Sequence, residues 1–234
     1  MPTIQIKKEL KKYADPKKAK ILQRFFKTGP GEYGEGDVFL GLASQQIILV
    51  AKKFFGMDLK SAEYLLRSKI HEERMLALRI LMMKFNKGDL KEKEDIYKLY
   101  LKNARNINNW DLVDVSAPKI VGLYLLDKPC DILYKLARSK NLWEKRIAML
   151  STFAFIREKQ FVDALKIAEI FLRDKHDLMH KAVGWMLREV GNRDRAAEEK
   201  FLKQHYQIMP RTMLRYAIEK FPEKLRQKYL RGLI

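Results

Sequence analysis

The side chains best suited to chemistry stand in one short string, Asn108-Asn109-Trp110-Asp111-Leu112-Val113-Asp114. An Asn pair ahead of an apolar run reads as a helix start, because Asn accepts hydrogen bonds from the free N–H groups of a first turn. On such a helix Trp110 and Asp114 are four residues apart and share a face. In a chain with a large positive excess, a carboxylate beside an indole reads as a site for a cationic or cation-generating substrate. The plainer alternative is a core tryptophan with a solubilising aspartate one turn on. Two further strings carry similar side chains: Leu142-Trp143-Glu144-Lys145-Arg146, and Lys181-Ala182-Val183-Gly184-Trp185-Met186-Leu187-Arg188. Trp143 has Leu142, Ile147 and Leu150 on its side and reads as core. Gly184 inside a helix costs about 1 kcal/mol relative to Ala, which suggests close approach of another backbone or a ligand.

Conventional signatures are mostly missing. His71-Glu72-Glu73-Arg74-Met75 begins like a zinc-protease motif and lacks its second histidine. His176 and His180 have ligand spacing without an evident third ligand, and Asp174 and Asp177 are equally well explained as helix caps. No metal site is expected. The segment Lys27 to Asp37 holds Gly29, Gly31, Gly34, Gly36 and Pro30 and reads as a connecting loop. It lacks the Gly-Lys-Ser/Thr ending of a phosphate-binding loop, so no nucleotide cofactor is expected. Cys130, a lone cysteine, excludes an intramolecular disulfide and reads as a small buried apolar residue.

The elements that must position these residues are helices. Apolar residues recur at spacings of three and four, and no useful run alternates with period two. The pattern predicts helices over about 4–13, 17–27, 36–55, 59–68, 72–85, 90–104, 110–116 and 118–126. It predicts more over about 131–139, 142–157, 161–173, 178–190, 193–206, 211–221 and 223–230. A weak repeat lies beneath them: Arg74, Trp110, Arg146, Lys181 and Arg211 fall 36, 36, 35 and 30 residues apart. Helix pairs of that period are typical of HEAT-like arrays, in which each pair buries its apolar face by stacking on its neighbours. The expectation is an all-α chain, a single domain over residues 1–234, built as a curved α-solenoid with a basic concave face. The repeat would turn Trp110, Arg146 and Lys181 towards one groove; a helical bundle with coincidental spacing is the alternative.

Charge narrows the partner. Lys and Arg number 48 against 29 Asp and Glu, a net charge of +19. That excess favours a polyanion, because each neutralised phosphate releases condensed counterions. Membrane surfaces and RNA would also satisfy it, but proteins of this size and basicity more often bind nucleic acid. Apolar runs such as Val121 to Leu126 are too short to span a bilayer, and no signal-peptide core is visible near Met1. A cytoplasmic, nucleoid-associated monomer is expected.

The sequence resembles the AlkD family of alkylpurine DNA glycosylases. The resemblance rests on Phe25-Phe26-Lys27-Thr28-Gly29-Pro30-Gly31-Glu32-Tyr33, Gly36-Asp37-Val38-Phe39-Leu40-Gly41, Ile70-His71-Glu72-Glu73-Arg74, the Asn-Asn-Trp-Asp-Leu-Val-Asp string, the Trp143 and Trp185 strings, and Met209-Pro210-Arg211-Thr212-Met213-Leu214-Arg215-Tyr216-Ala217. It implies that Asp114 is the catalytic aspartate and that Trp110 and Trp185 contact the deoxyribose of the damaged nucleotide. It further implies that Arg146 holds the DNA backbone and that Arg188 is another phosphate contact, with Lys181 and Arg215 as further DNA contacts. Phe26 would line the site where some relatives have a tyrosine. Gln45 and Ile48 depart from the usual Pro and Arg of relatives.

The reaction so implied is hydrolysis of the glycosidic bond of cationic N3- or N7-alkylated purines in double-stranded DNA, without base flipping, metal or other cofactor. The alternative is a non-catalytic HEAT-repeat protein that binds bent, branched or damaged DNA by shape and charge.

Overall fold

A computed structural model describes residues 2–234. The described residues are helical, and their extended pairing is an isolated parallel bridge between Val38 and Ile70. The chain divides into two compact units, Met1–Ser116 and Ala117–Ile234.

The first unit contains α1 (Pro2–Lys11), α2 (Pro16–Phe25), α3 (Ser44–Lys53), α4 (Leu59–Leu66), α5 (His71–Lys87), α6 (Leu90–Lys102) and most of α7 (Trp110–Ala117). Aspartates start three of these helices: Asp15, Asp58 and Asp89 accept from backbone N–H groups of the first turn. Helix α5 is the spine, with α3 and α4 packed along it. From His71 to Leu78 every residue is buried, including four charged or titratable ones in a row.

The helix expected over 36–55 begins only at Ser44. Gly36 and Gly41 have φ of 83° and 89°, which helical backbone excludes. Between them the chain runs extended: Val38 N–H donates to the Lys69 carbonyl, and His71 N–H donates to the Val38 carbonyl. The amides of Leu40, Gly41 and Leu42 then turn onto the Glu72 carboxylate at 2.9, 2.8 and 3.2 Å. Three N–H donors compensate a carboxylate that is only 2% exposed. That is a better use of those amides than a helix lacking a capping residue.

The second unit follows with a π turn (Pro118–Gly122), α8 (Leu123–Leu125), α9 (Asp131–Ala137), α10 (Leu142–Arg157), α11 (Val162–Ile170), α12 (Asp177–Gly191), α13 (Arg195–His205), α14 (Arg211–Ala217) and α15 (Glu223–Arg231). Pro118 has no N–H to give the Asp114 carbonyl four residues back, and the wider turn starts there. Helix α10 is the centre, with α9, α11, α12 and the π turn packed on it. Two glycines in this unit permit close approach of another backbone. A Cβ on Gly122 would fall 2.3 Å from the Ser151 carbonyl oxygen, and one on Gly184 would fall 2.4 Å from that of Met213 in α14. Gly184 therefore serves a backbone contact within the unit.

Candidate active site

The start of α7 is built onto a buried carboxylate, Asp37. Its side chain accepts from Arg74 Nη2 at 2.7 Å, His71 Nδ1 at 3.2 Å, Asn108 Nδ2 at 3.2 Å and Asn109 Nδ2 at 3.4 Å. The Asn pair does more than cap. Asn109 Oδ1 accepts from Trp110 N–H at 2.8 Å, while both amide groups tie the turn before α7 to the loop that carries Asp37. Gly34 admits this arrangement, because a Cβ there would sit 2.5 Å from the Phe26 carbonyl oxygen.

His71 continues the network into α7. Its Nε2 lies 2.9 Å from Asp111 Oδ2, so the ring bridges two carboxylates. Burial opposes charge on the ring, but the hydrogen bonds to Asp111 and Asp37 outweigh it and raise its pKa above the usual histidine value. With a carboxylate oxygen beside each ring nitrogen, the charged ring can donate from both. At Asp37 burial would raise the pKa, and the His71 hydrogen bond and the Arg74 charge together hold it below the usual carboxylate range. When His71 is protonated, the four groups Asp111, His71, Asp37 and Arg74 alternate in sign and sum to zero. His71 is also stacked on Phe39, centroids 4.4 Å apart.

Trp110 and Asp114 leave the network along one face of α7, and both are half-buried. Phe26 packs at 5.2 Å from the Trp110 ring and Phe25 meets it edge-on at 5.9 Å. The indole Nε1 donates to Tyr33 Oη at 3.3 Å. Trp110 is therefore oriented by contacts on its ring and on its N–H. On the neighbouring face of the helix, Asp111 and Val115 line a cleft of about 310 Å³ that Phe26, Phe39, His71 and Arg79 also line.

In the second unit α12 carries Lys181, Trp185 and Arg188, spaced four and three apart and so on one side of the helix. Trp185 is half-buried, donates its Nε1–H to Glu189 Oε1 at 3.2 Å and lies 6.0 Å from the Phe153 ring. Lys181 pairs with Asp177 at 2.7 Å and Arg188 with Glu219. Arg146 is only 4% exposed, and its Nη1 donates to the Leu178 carbonyl in the first turn of α12 at 2.5 Å. Arg215 is exposed on α14, which packs against α12. Trp143 is buried. Cys130 is half-buried, not buried, and burial followed by the charge of Asp163 pushes its thiol pKa up to about 11. His176 caps α12 by accepting from Leu178 N–H, and His180 Nε2 lies 2.5 Å from the Asp174 carbonyl. Among the described residues no three potential ligands form a metal-sized group.

The sequence profile of the DNA alkylation repair enzyme family matches residues 6–221. The chain belongs to that family. Its fold is also that of a solved structure described as a predicted DNA alkylation repair enzyme from Enterococcus faecalis. The two are 16% identical, the match covers 90% of this chain and 97% of the other, and the TM-score is 0.71. At that identity the likeness is one of fold. No curated protein matches the chain in sequence. For a DNA alkylation repair family member, DNA is the substrate. No helix among the described residues is long and apolar enough to cross a membrane.

Sequence reasoning about this repair-family chain missed the Asp37–His71–Asp111 bridge. The signal was present in His71-Glu72-Glu73-Arg74, four consecutive polar side chains opening an otherwise apolar helix. Consecutive residues point in four directions around a helix, so some had to be buried with partners. Arg74, taken as a repeat-marking basic residue, is one of these. It is 3% exposed and donates to Asp37 and to the Ser68 carbonyl.

Proposed function

We propose that this protein is a monofunctional DNA glycosylase of the AlkD type, which hydrolyses the N-glycosidic bond of cationic N3- and N7-alkylated purines in double-stranded DNA. The observation that carries the reading is the half-buried Trp110–Asp114 face of α7, anchored from behind through Asp111, in a member of the alkylation repair family. An alkylated purine already bears positive charge and departs as a neutral base, so the leaving group needs no general acid. Charge develops instead on the sugar. Asp114 opposes that oxocarbenium-like charge in the transition state more than in the ground state, and it orients or deprotonates the attacking water. Trp110 presents the negative face of its ring to the same cation.

Phe26 supports Trp110 and lines the site. In the second unit Trp185 contacts a deoxyribose, while Arg146, Arg188, Lys181 and Arg215 act on backbone phosphates. Arg188 must exchange its Glu219 partner for a phosphate, and Arg146 works mainly by fixing the start of α12. The base stays outside a pocket, which favours cationic lesions over neutral ones and tolerates bulky adducts. The chain acts as a monomer and its residues supply the chemistry without a cofactor. The test is release of free 7-methylguanine and 3-methyladenine from methylated duplex DNA. Asp114→Asn should abolish release and keep DNA binding; release that survives the substitution contradicts the assignment.

A further inference from the structure

Helix α5 carries a second arginine whose situation is unlike that of Arg74. Arg79 is half-buried, its Nε is buried without a partner, and no carboxylate comes within ion-pairing distance of it among the described residues. Burial pushes its pKa below the usual arginine value, and the charge of Asp111 offsets this only in part. Asp111 does not close on it: Oδ2 is held by His71 and Oδ1 accepts from Leu112 N–H at 2.8 Å. Glu72, the other carboxylate of the cleft, already accepts from three backbone amides. Arg79 thus brings an uncompensated cation to a cleft of about 310 Å³ whose remaining wall is largely hydrocarbon: Leu22, Phe26, Phe39 and Ile47.

A desolvated charge without a counter-charge is costly and is relieved by a charge-assisted bond. Apart from His71, Glu72 and Asp111, which already have hydrogen-bond partners, the polar lining of the cleft is the Ser44 hydroxyl and Arg79. What it offers is one fork of N–H donors beside an apolar surface, which suits a phosphodiester with its deoxyribose. Its rim is α7, one face away from Trp110 and Asp114. We propose that Arg79 binds a backbone phosphate of the DNA in this cleft, seating the strand beside α7. This rests on the proposed function only in taking DNA as the partner.

The test is equilibrium binding of undamaged duplex DNA over a range of KCl concentrations, with intact protein, Arg79→Gln and Arg79→Lys. Loss of one phosphate contact should make the slope of log K against log salt shallower by about 0.9. In Arg79→Gln the affinity should also fall by up to about tenfold at low salt, and Arg79→Lys should keep most of the slope. Thermal melting separates this from a structural role: removing an uncompensated buried charge should leave the melting temperature of Arg79→Gln unchanged or raised. An unchanged slope in Arg79→Gln overturns the proposal. So does saturable, Arg79-dependent binding of inorganic phosphate with no Arg79 effect on duplex binding. Base release plays no part in this measurement. Intact protein that shows the Arg79 effect yet releases no base sinks the proposed reaction and leaves this contact standing.

Discussion

Asp37 collects donors from α5 and from the turn before α7, and it faces a guanidinium as buried as itself. Arg74 and Asp37 are each about 3% exposed, with 2.7 Å between Nη2 and Oδ1. Replacing Asp37 with Asn keeps the shape and leaves a buried cation without its counter-charge, which costs about 3–5 kcal/mol. Chemical denaturation of Asp37→Asn should show a loss of that size, with the m-value unchanged. The histidine adds a pH signature. The folded pKa of His71 lies above 6.5, so its stabilisation is complete below pH 6.5 and fades as pH rises through the folded value. That of Asp37 lies below 3.8, so its contribution holds above pH 3.8 and fades as pH falls through the lower folded value. Stability measured against pH should therefore decline as pH rises above 6.5, and His71→Gln should be less stable near pH 6 with that decline reduced. The sequence made Trp110 and Asp114 visible because their spacing and type are local. It hid Asp37 and His71 because their partners are 34 to 72 residues away.

Helices were the easiest part to read, since α5, α10 and α12 are runs of 17, 16 and 15 residues without a proline. The error over 36–43 came from the opposite situation: an apolar stretch too short for periodicity to decide, whose amides were already committed to Glu72. Gly184 was legible as an anomaly, and only the structure says that α14 is what approaches it. Gly184→Ala drives a methyl into the Met213 carbonyl and the Tyr216 Cβ, at 2.4 and 2.5 Å. The expected cost is about 1–3 kcal/mol, read as a lower melting temperature. Helix α13 holds a second titrating group, Glu198, 1% exposed and with its Oε1 unpartnered. Burial raises its pKa to about 8, against the opposing charge of Arg195. The folded state keeps a proton that the unfolded chain loses above pH 4.5, so stability falls as pH climbs from there through about 8. Glu198→Gln should flatten that part of the pH–stability curve.

At the scale of the molecule the net charge of +19 is the property that sequence alone settles. It supplies affinity for any polyanion and selects none of them, which is why composition left membranes and RNA open. The family match brings DNA and alkylation damage; the chemistry must come from the site. If several arginines and lysines each neutralise a phosphate, duplex affinity should fall steeply with salt, each contact adding about 0.9 to the slope. Damaged and undamaged duplexes should share nearly the same slope, because the lesion changes a base and not the phosphate count.

The proposed reaction turns on Asp114 opposing positive charge on the sugar as the purine leaves. It is tested most directly by single-turnover release of 7-methylguanine from a duplex, with enzyme saturating and affinity measured alongside. Asp114→Asn should bind that duplex as tightly as the intact protein but release base at least about 100-fold more slowly, approaching the uncatalysed rate. A variant that releases 7-methylguanine at the intact rate, or intact protein that never exceeds the spontaneous rate, would contradict it.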